Sequence, residues 1–385
     1  MAKLNHLTRF SLLIMSLLFL LLALWTGLVR LGWNATWLQS RLTLDHGPFM
    51  VCGFLGTLIC VERSVALGKW WGYIAPFLAG IGSLELAVGL PARPGMLLIT
   101  LGGLGLVSIF VLISVKQPTL FTWTMGLGAG AWFVGNALWL AGRAIPQMVH
   151  WWIGFLVLTI VGERLELNRF LAPSRYTKPT FCIGLGLFLA GLIGTSAVPV
   201  QGNWISGTGM VALALWLARY DVARFTVQRK GLPRYIALCL FGGYVWLGIG
   251  GLIRLFAIRL EIAGSPVYLV YDATLHSIFL GFVFSMIFAH APIIFPAVAG
   301  RPMAFRRVFY CHVVLLHLSL ILRIAGDLAG SFSAYRWGGL LSVIALSMFL
   351  ADSMYGMVVG QREARVSLAL LTSSRKGSDA SSDRG

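Results

Sequence analysis

Charge is scarce in this chain. Only 11% of its 385 residues are Asp, Glu, Lys or Arg, against about 25% in a typical soluble domain. Acid is scarcer still: 13 Asp and Glu stand against 30 Lys and Arg, a net charge of +17. So few polar groups cannot cover a water-facing surface, which excludes a soluble globular domain and a disordered chain. Cysteine is sparse and unpatterned. Cys52, Cys60, Cys182, Cys239 and Cys311 lie in apolar stretches with no C-x-x-C spacing. That excludes a zinc ribbon, a thioredoxin-like centre and covalently attached haem, and leaves them as small buried hydrophobes. G-x-S-x-G, a Walker loop, H-E-x-x-H and a strand-borne dinucleotide fingerprint are also missing. No soluble catalytic domain is therefore expected.

What the chain has in abundance is apolar sequence, at 58%. Runs long enough to cross a bilayer fall roughly at 8–30, 46–68, 71–91, 95–115, 119–142, 147–170, 180–198, 202–220, 235–258, 267–290, 305–326 and 332–360. Gly and Pro mark many of the breaks, and 45 glycines suit close helix packing in lipid. The fold class predicted is an all-α integral membrane protein of twelve transmembrane helices. With the N-terminus inside, alternation places 22 of the 30 Lys and Arg in cytoplasmic segments and 8 outside. This is the bias of the positive-inside rule, and it puts both termini in the cytoplasm. It also explains the basic balance without nucleic acid; the partner implied is the lipid bilayer. The first apolar run lacks a small-residue cleavage site after Trp25-Thr26-Gly27 and reads as the first span, not a signal peptide. Residues 1–360 form a single membrane domain, and 361–385, polar toward its end, reads as a disordered cytoplasmic tail.

An internal repeat runs through it. Span 2 carries Gly53-Phe54-Leu55, Ile59 and Glu62-Arg63; span 6 carries Gly154-Phe155-Leu156, Ile160 and Glu163-Arg164, at a constant offset of 101. Span 10 has Gly281-Phe282, Ile287 and then His290 in place of the acid. These are the second helices of three successive four-helix units, about 8–115, 119–220 and 235–360.

Each of the three equivalent spans also carries a histidine toward its outer end: His46, His150 and His276. Neutral imidazole is the usual ligand for haem iron and copper, and an intramembrane ionisable residue is a functional candidate by default. The plain alternatives are a helix start for His46 in Asp45-His46-Gly47-Pro48 and an interfacial anchor for His150 beside Trp151-Trp152. Arg254 and Arg323 fall near the same depth. Both suit porphyrin propionates, with outward snorkelling and pairing to Asp327 as the alternative. Asp272 stands four residues before His276 and is placed to orient it. His290 lies near the inner face, with Glu62 or Glu163 as candidate partners. His312 reads as a satisfied buried histidine, His317 as a proton or ligand site, and Asp352 as a proton-path residue or the partner of an arginine.

Twelve spans in three four-helix arcs, with outer histidines on spans 2 and 10, resemble the haem-copper oxidase catalytic subunit. That resemblance implies axial haem ligands at His46 and His276 and a copper ligand at His150. Span 10 has one outer histidine and span 7 has none, so the oxidase's paired copper ligands are missing. Asp45-His46-Gly47-Pro48-Phe49-Met50 leading to Gly53-Phe54-Leu55, together with Tyr244-Val245-Trp246-Leu247 and Leu275-His276-Ser277, more closely resembles the NnrS family. Those are twelve-span haem- and copper-containing membrane proteins of the bacterial nitric-oxide response. The resemblance implies a multi-pass protein of the bacterial inner membrane, binding b-type haem with copper as a further cofactor. Its cofactor residues would be His46, His276, Arg254 and Arg323, its metal ligands His46, His276 and His150, and a diatomic gas or small redox ligand its partner. A diverged haem-copper-type oxidoreductase and a small-solute transporter are the other readings. The histidine arrangement predicts that His46 and His276 face one cavity.

Overall fold

The computed structural model describes residues 2–33, 40–170, 174–300 and 302–382. The described residues are helical throughout, and no strand occurs among them. We number the principal helices in chain order. α1 is Ala2–Arg30. α2 is one continuous rod made of His46–Pro48, a π-helical stretch Phe49–Gly56, and Thr57–Leu67. α3 is Ile74–Ala87, α4 Ala92–Lys116, α5 Leu120–Leu140, α6 Ile145–Leu167, α7 Thr177–Ala197, α8 Pro199–Tyr220 and α9 Leu232–Ile262. α10 joins Val267–His276, a second π-helical stretch Ser277–Phe284, and Ser285–Ala299; α11 is Phe309–Ala329 and α12 Phe332–Ser382. α12 stays helical over most of the interval whose composition predicts a disordered tail, since extending an existing helix costs far less than starting one.

Among the described residues, nine helices are long and apolar enough to cross a membrane. This is a multi-pass membrane architecture with fewer unambiguous spans than the twelve predicted. The three that fall short are α3, α5 and α8. The first has only 14 residues, and the other two dilute their apolar sequence with Gly, Thr, Asn and Trp.

Local chemistry sets the helix ends. Pro146, Pro199 and Pro233 occupy first turns, where the missing N–H costs nothing. Gly330 (φ 65°) takes the left-handed conformation that ends α11 and turns the chain directly into α12. Short connections of this kind make sequence neighbours antiparallel, and α3–α4, α4–α5, α5–α6, α7–α8, α8–α9 and α11–α12 pack pairwise. Trp33 against Trp337, edge to face at 5.2 Å, brings the end of α1 to the start of α12.

Three helices lie deepest. The buried share is 78% for α6 and 67% for both α2 and α10, against 33–56% for the other candidate spans. They touch in every pairing. Arg63 of α2 donates to Glu163 of α6 at 2.5 Å. Arg164 of α6 donates to His290 Nε2 of α10 at 3.4 Å. Phe54 of α2 stacks on Phe284 of α10 at 6.0 Å. The two π stretches fall on two of these three. In each, a glycine takes an aromatic ring at backbone distance: a Cβ on Gly53 would stand 2.7 Å from Phe19 Cγ, and one on Gly281 would stand 2.4 Å from Trp246 Cγ. Gly154, at the matching place in α6, meets a flexible leucine, Leu192, and α6 keeps α winding.

Candidate functional site

The ends of α1, α2, α6, α10, α11 and α12 that face one side of the bundle enclose a cavity of about 530 Å³. That is within the range of cofactor and small-molecule sites, about 300–1,000 Å³. His46 and His276 both line it. Its walls are largely apolar, with Met50, Val51, Phe279 and Leu346 among them, and Arg30, Tyr271, Asp272, Arg323 and Tyr335 supply the polar part.

The two imidazoles are held alike. His46 Nδ1 lies 2.8 Å from the carbonyl oxygen of Ala23 on α1. His276 Nδ1 lies 3.0 Å from the carbonyl oxygen of Asp272 and 3.0 Å from its carboxylate. A carbonyl can only accept, so Nδ1 carries a proton in both rings, and in the neutral imidazole Nε2 then keeps its lone pair. Gly27 makes room for His46, since a Cβ there would sit 3.1 Å from the ring. Other histidines spend Nε2 on the protein: His290 accepts from Arg164 at 3.4 Å, and His312 accepts from the Tyr235 hydroxyl at 3.0 Å. No such donor reaches His46 or His276 among the described residues. A fixed N–H on one nitrogen and a free lone pair on the other is how proteins present a histidine to a metal.

Asp272 links the ligand candidates to the charge at the cavity mouth. Its carboxylate takes two bonds from Arg323, at 2.9 and 3.1 Å, besides the His276 contact. Arg323 stacks over the Tyr335 ring at 4.8 Å. The sequence alternative for Arg323, pairing with Asp327, is thus replaced by Asp272. Arg30 and Tyr335 were not singled out from the sequence. Arg30 looks like any arginine closing a span, and Tyr335 reaches the site from the far end of the chain.

Two of the predicted residues lie elsewhere. Arg254 and His150 line a second cavity of about 520 Å³, enclosed by the ends of α5 to α10. His150 Nε2 is 3.0 Å from the Ser196 hydroxyl, which also accepts from Trp151. The predicted grouping of Arg254 with Arg323, and of His150 with His46 and His276, is therefore split. The reason is angular: position along a helix fixes depth, whereas these side chains leave their helices toward different neighbours. Pro146, Val149, Tyr271 and Leu275 line both cavities and form the partition. Among the described residues, no three His, Cys, Asp or Glu side chains gather as a metal site.

The remaining candidates have structural partners. His290 Nδ1 donates to the Met286 carbonyl at 2.7 Å, and its Nε2 faces Arg164, not Glu62 or Glu163. The two glutamates are bridged by Arg63 instead. Asp352 pairs with His312 at 2.7 Å, not with an arginine. His317 accepts from the Trp246 indole at 2.9 Å.

A search of curated proteins gives no match. A family model described as a domain of unknown function, DUF8744, matches residues 9–358, which is nearly the whole helical bundle including both cavities, and the chain belongs to that family.

Proposed function

We propose that the chain is a multi-pass haem protein in which His46 and His276 would hold a b-type haem. The observation that carries this reading is the pair of Nδ1-anchored imidazoles on one apolar-walled cavity. Such a haem would supply a reversible one-electron couple and a site for a diatomic ligand. The residues would do the rest. The Ala23 carbonyl and Asp272 fix the two tautomers and keep the rings aimed at the cavity. Met50, Val51, Phe279 and Leu346 keep water from its centre. Arg30 matches the charge of a propionate, while Arg323, lining the same cavity, holds Asp272 beside His276. Copper has no place in this reading, because His150 belongs to the other cavity.

The same reading takes the twelve principal helices as twelve spans in three four-helix units, with α2, α6 and α10 innermost and both termini cytoplasmic in a bacterial inner membrane. The physiological context proposed with it, on the sequence resemblance to the NnrS family, is a response to nitric oxide or redox stress.

Visible absorption of the purified protein, before and after addition of haem, tests it. A Soret band is expected in the wild type and in His150→Ala, and is expected to be lost or shifted in His46→Ala and in His276→Ala. A protein that stays colourless after haem addition, or a band indifferent to both substitutions, overturns the reading and favours small-solute transport.

A further inference from the structure

The second cavity holds a cation with no counter-charge. Arg254 is 9% exposed. Its Nε donates to Ser206 at 2.6 Å and its Nη2 to Thr195 at 3.1 Å. Both acceptors are neutral hydroxyls. No carboxylate comes within ion-pair distance of it among the described residues. Every other buried guanidinium described above has an acid: Arg63 has Glu62 and Glu163, Arg164 has Asp221, and Arg323 has Asp272. A buried charge without a partner is strongly disfavoured in a low-dielectric setting. A protein that keeps one facing a cavity has a use for the missing partner.

The surroundings define that partner. Ser206 and Thr195 take Nε and Nη2 of the guanidinium, and no acceptor for Nη1 occurs among the described residues. His150, Ser196 and Asn203 add neutral hydrogen-bonding groups. Arg143 and Glu261 line the same space with opposite signs and offset each other. One positive charge is left, on a planar donor suited to a planar acceptor.

We propose that this cavity binds a singly charged oxyanion, a carboxylate or its planar equivalent, with Arg254 as its counter-ion. The site is separate from the haem cavity and stands or falls independently of it. The same chemistry is offered by a free small anion and by the carboxylate of a fatty acid.

Calorimetric titration of the full-length protein in detergent with acetate and with nitrate tests the proposal, with sulfate at matched ionic strength as the control. Saturable binding of acetate and nitrate is expected, at least tenfold weaker in Arg254→Gln and unchanged in His46→Ala. Glu261→Gln, which removes a carboxylate at the cavity and leaves the guanidinium in place, is expected to tighten binding about threefold. That second variant keeps the test decisive should Arg254→Gln fail to fold. A copurified fatty acid that acetate displaces supports the site with lipid as its source; saturable binding with no retained fatty acid supports a free anion. Binding indifferent to both substitutions overturns the proposal. So does a wild type that binds no anion but loses its Soret band in Arg254→Gln, since the arginine would then serve the porphyrin.

Discussion

Arg63 of α2 donates to Glu163 of α6 at 2.5 Å, and the next residue, Arg164, holds Asp221 through two bonds of 2.8 Å. One repeated Glu-Arg step thus ties the deepest helix in two directions. Arg164 and Asp221 are 3% and 0% exposed, so neither charge has water to fall back on.

Breaking that pair from one side is expected to be costly. Arg164→Met and Asp221→Leu should each destabilise by about 3–5 kcal/mol, because each leaves a buried charge alone. The double variant should be the milder lesion. A double-mutant cycle on thermal unfolding in detergent measures this, and additive losses would contradict it.

Asp272 is a positioning residue for His276. Asp272→Asn keeps the backbone carbonyl contact but removes the charged acceptor of both His276 and Arg323. Haem affinity is expected to fall about 10–100-fold with the Soret band still present at saturating haem. A titration with unaltered affinity would mean that the carbonyl alone sets the ring.

The glycines of the π stretches carry rings that cannot step aside. Gly281→Ala would set a methyl against Trp246 Cγ and Cβ at 2.4 and 2.5 Å, and should cost about 1–3 kcal/mol. Gly154→Ala meets Leu192, whose end can rotate, and should cost less. Gly186→Ala meets nothing within 4 Å and should raise stability by up to about 1 kcal/mol. Melting temperatures of the three variants in one detergent check the order.

The membrane class was legible because apolar run length is a one-dimensional property. So was the meeting of His46 and His276 on one cavity, since both fall toward the same end of their runs. The count of spans was less legible: α3, α5 and α8 are short or rich in small and polar residues, so runs marked off by Gly and Pro give more spans than apolar length alone supports. That Arg254 and His150 line a second cavity is not legible, because spacing along a rod gives depth and not azimuth. The partners of His290, Asp352 and Arg323 were illegible for a related reason. Each is more than 35 residues away in sequence and was chosen by packing.

The two wide-wound stretches begin three residues after His46 and one after His276. A helix turns about 100° per residue. Each stretch therefore acts as a fixed angular offset between the cavity-lining tip of its rod and the remainder. Relaxing either one to ordinary winding would swing its imidazole by roughly a quarter turn while the opposite ends, with Arg63 and His290, stayed seated.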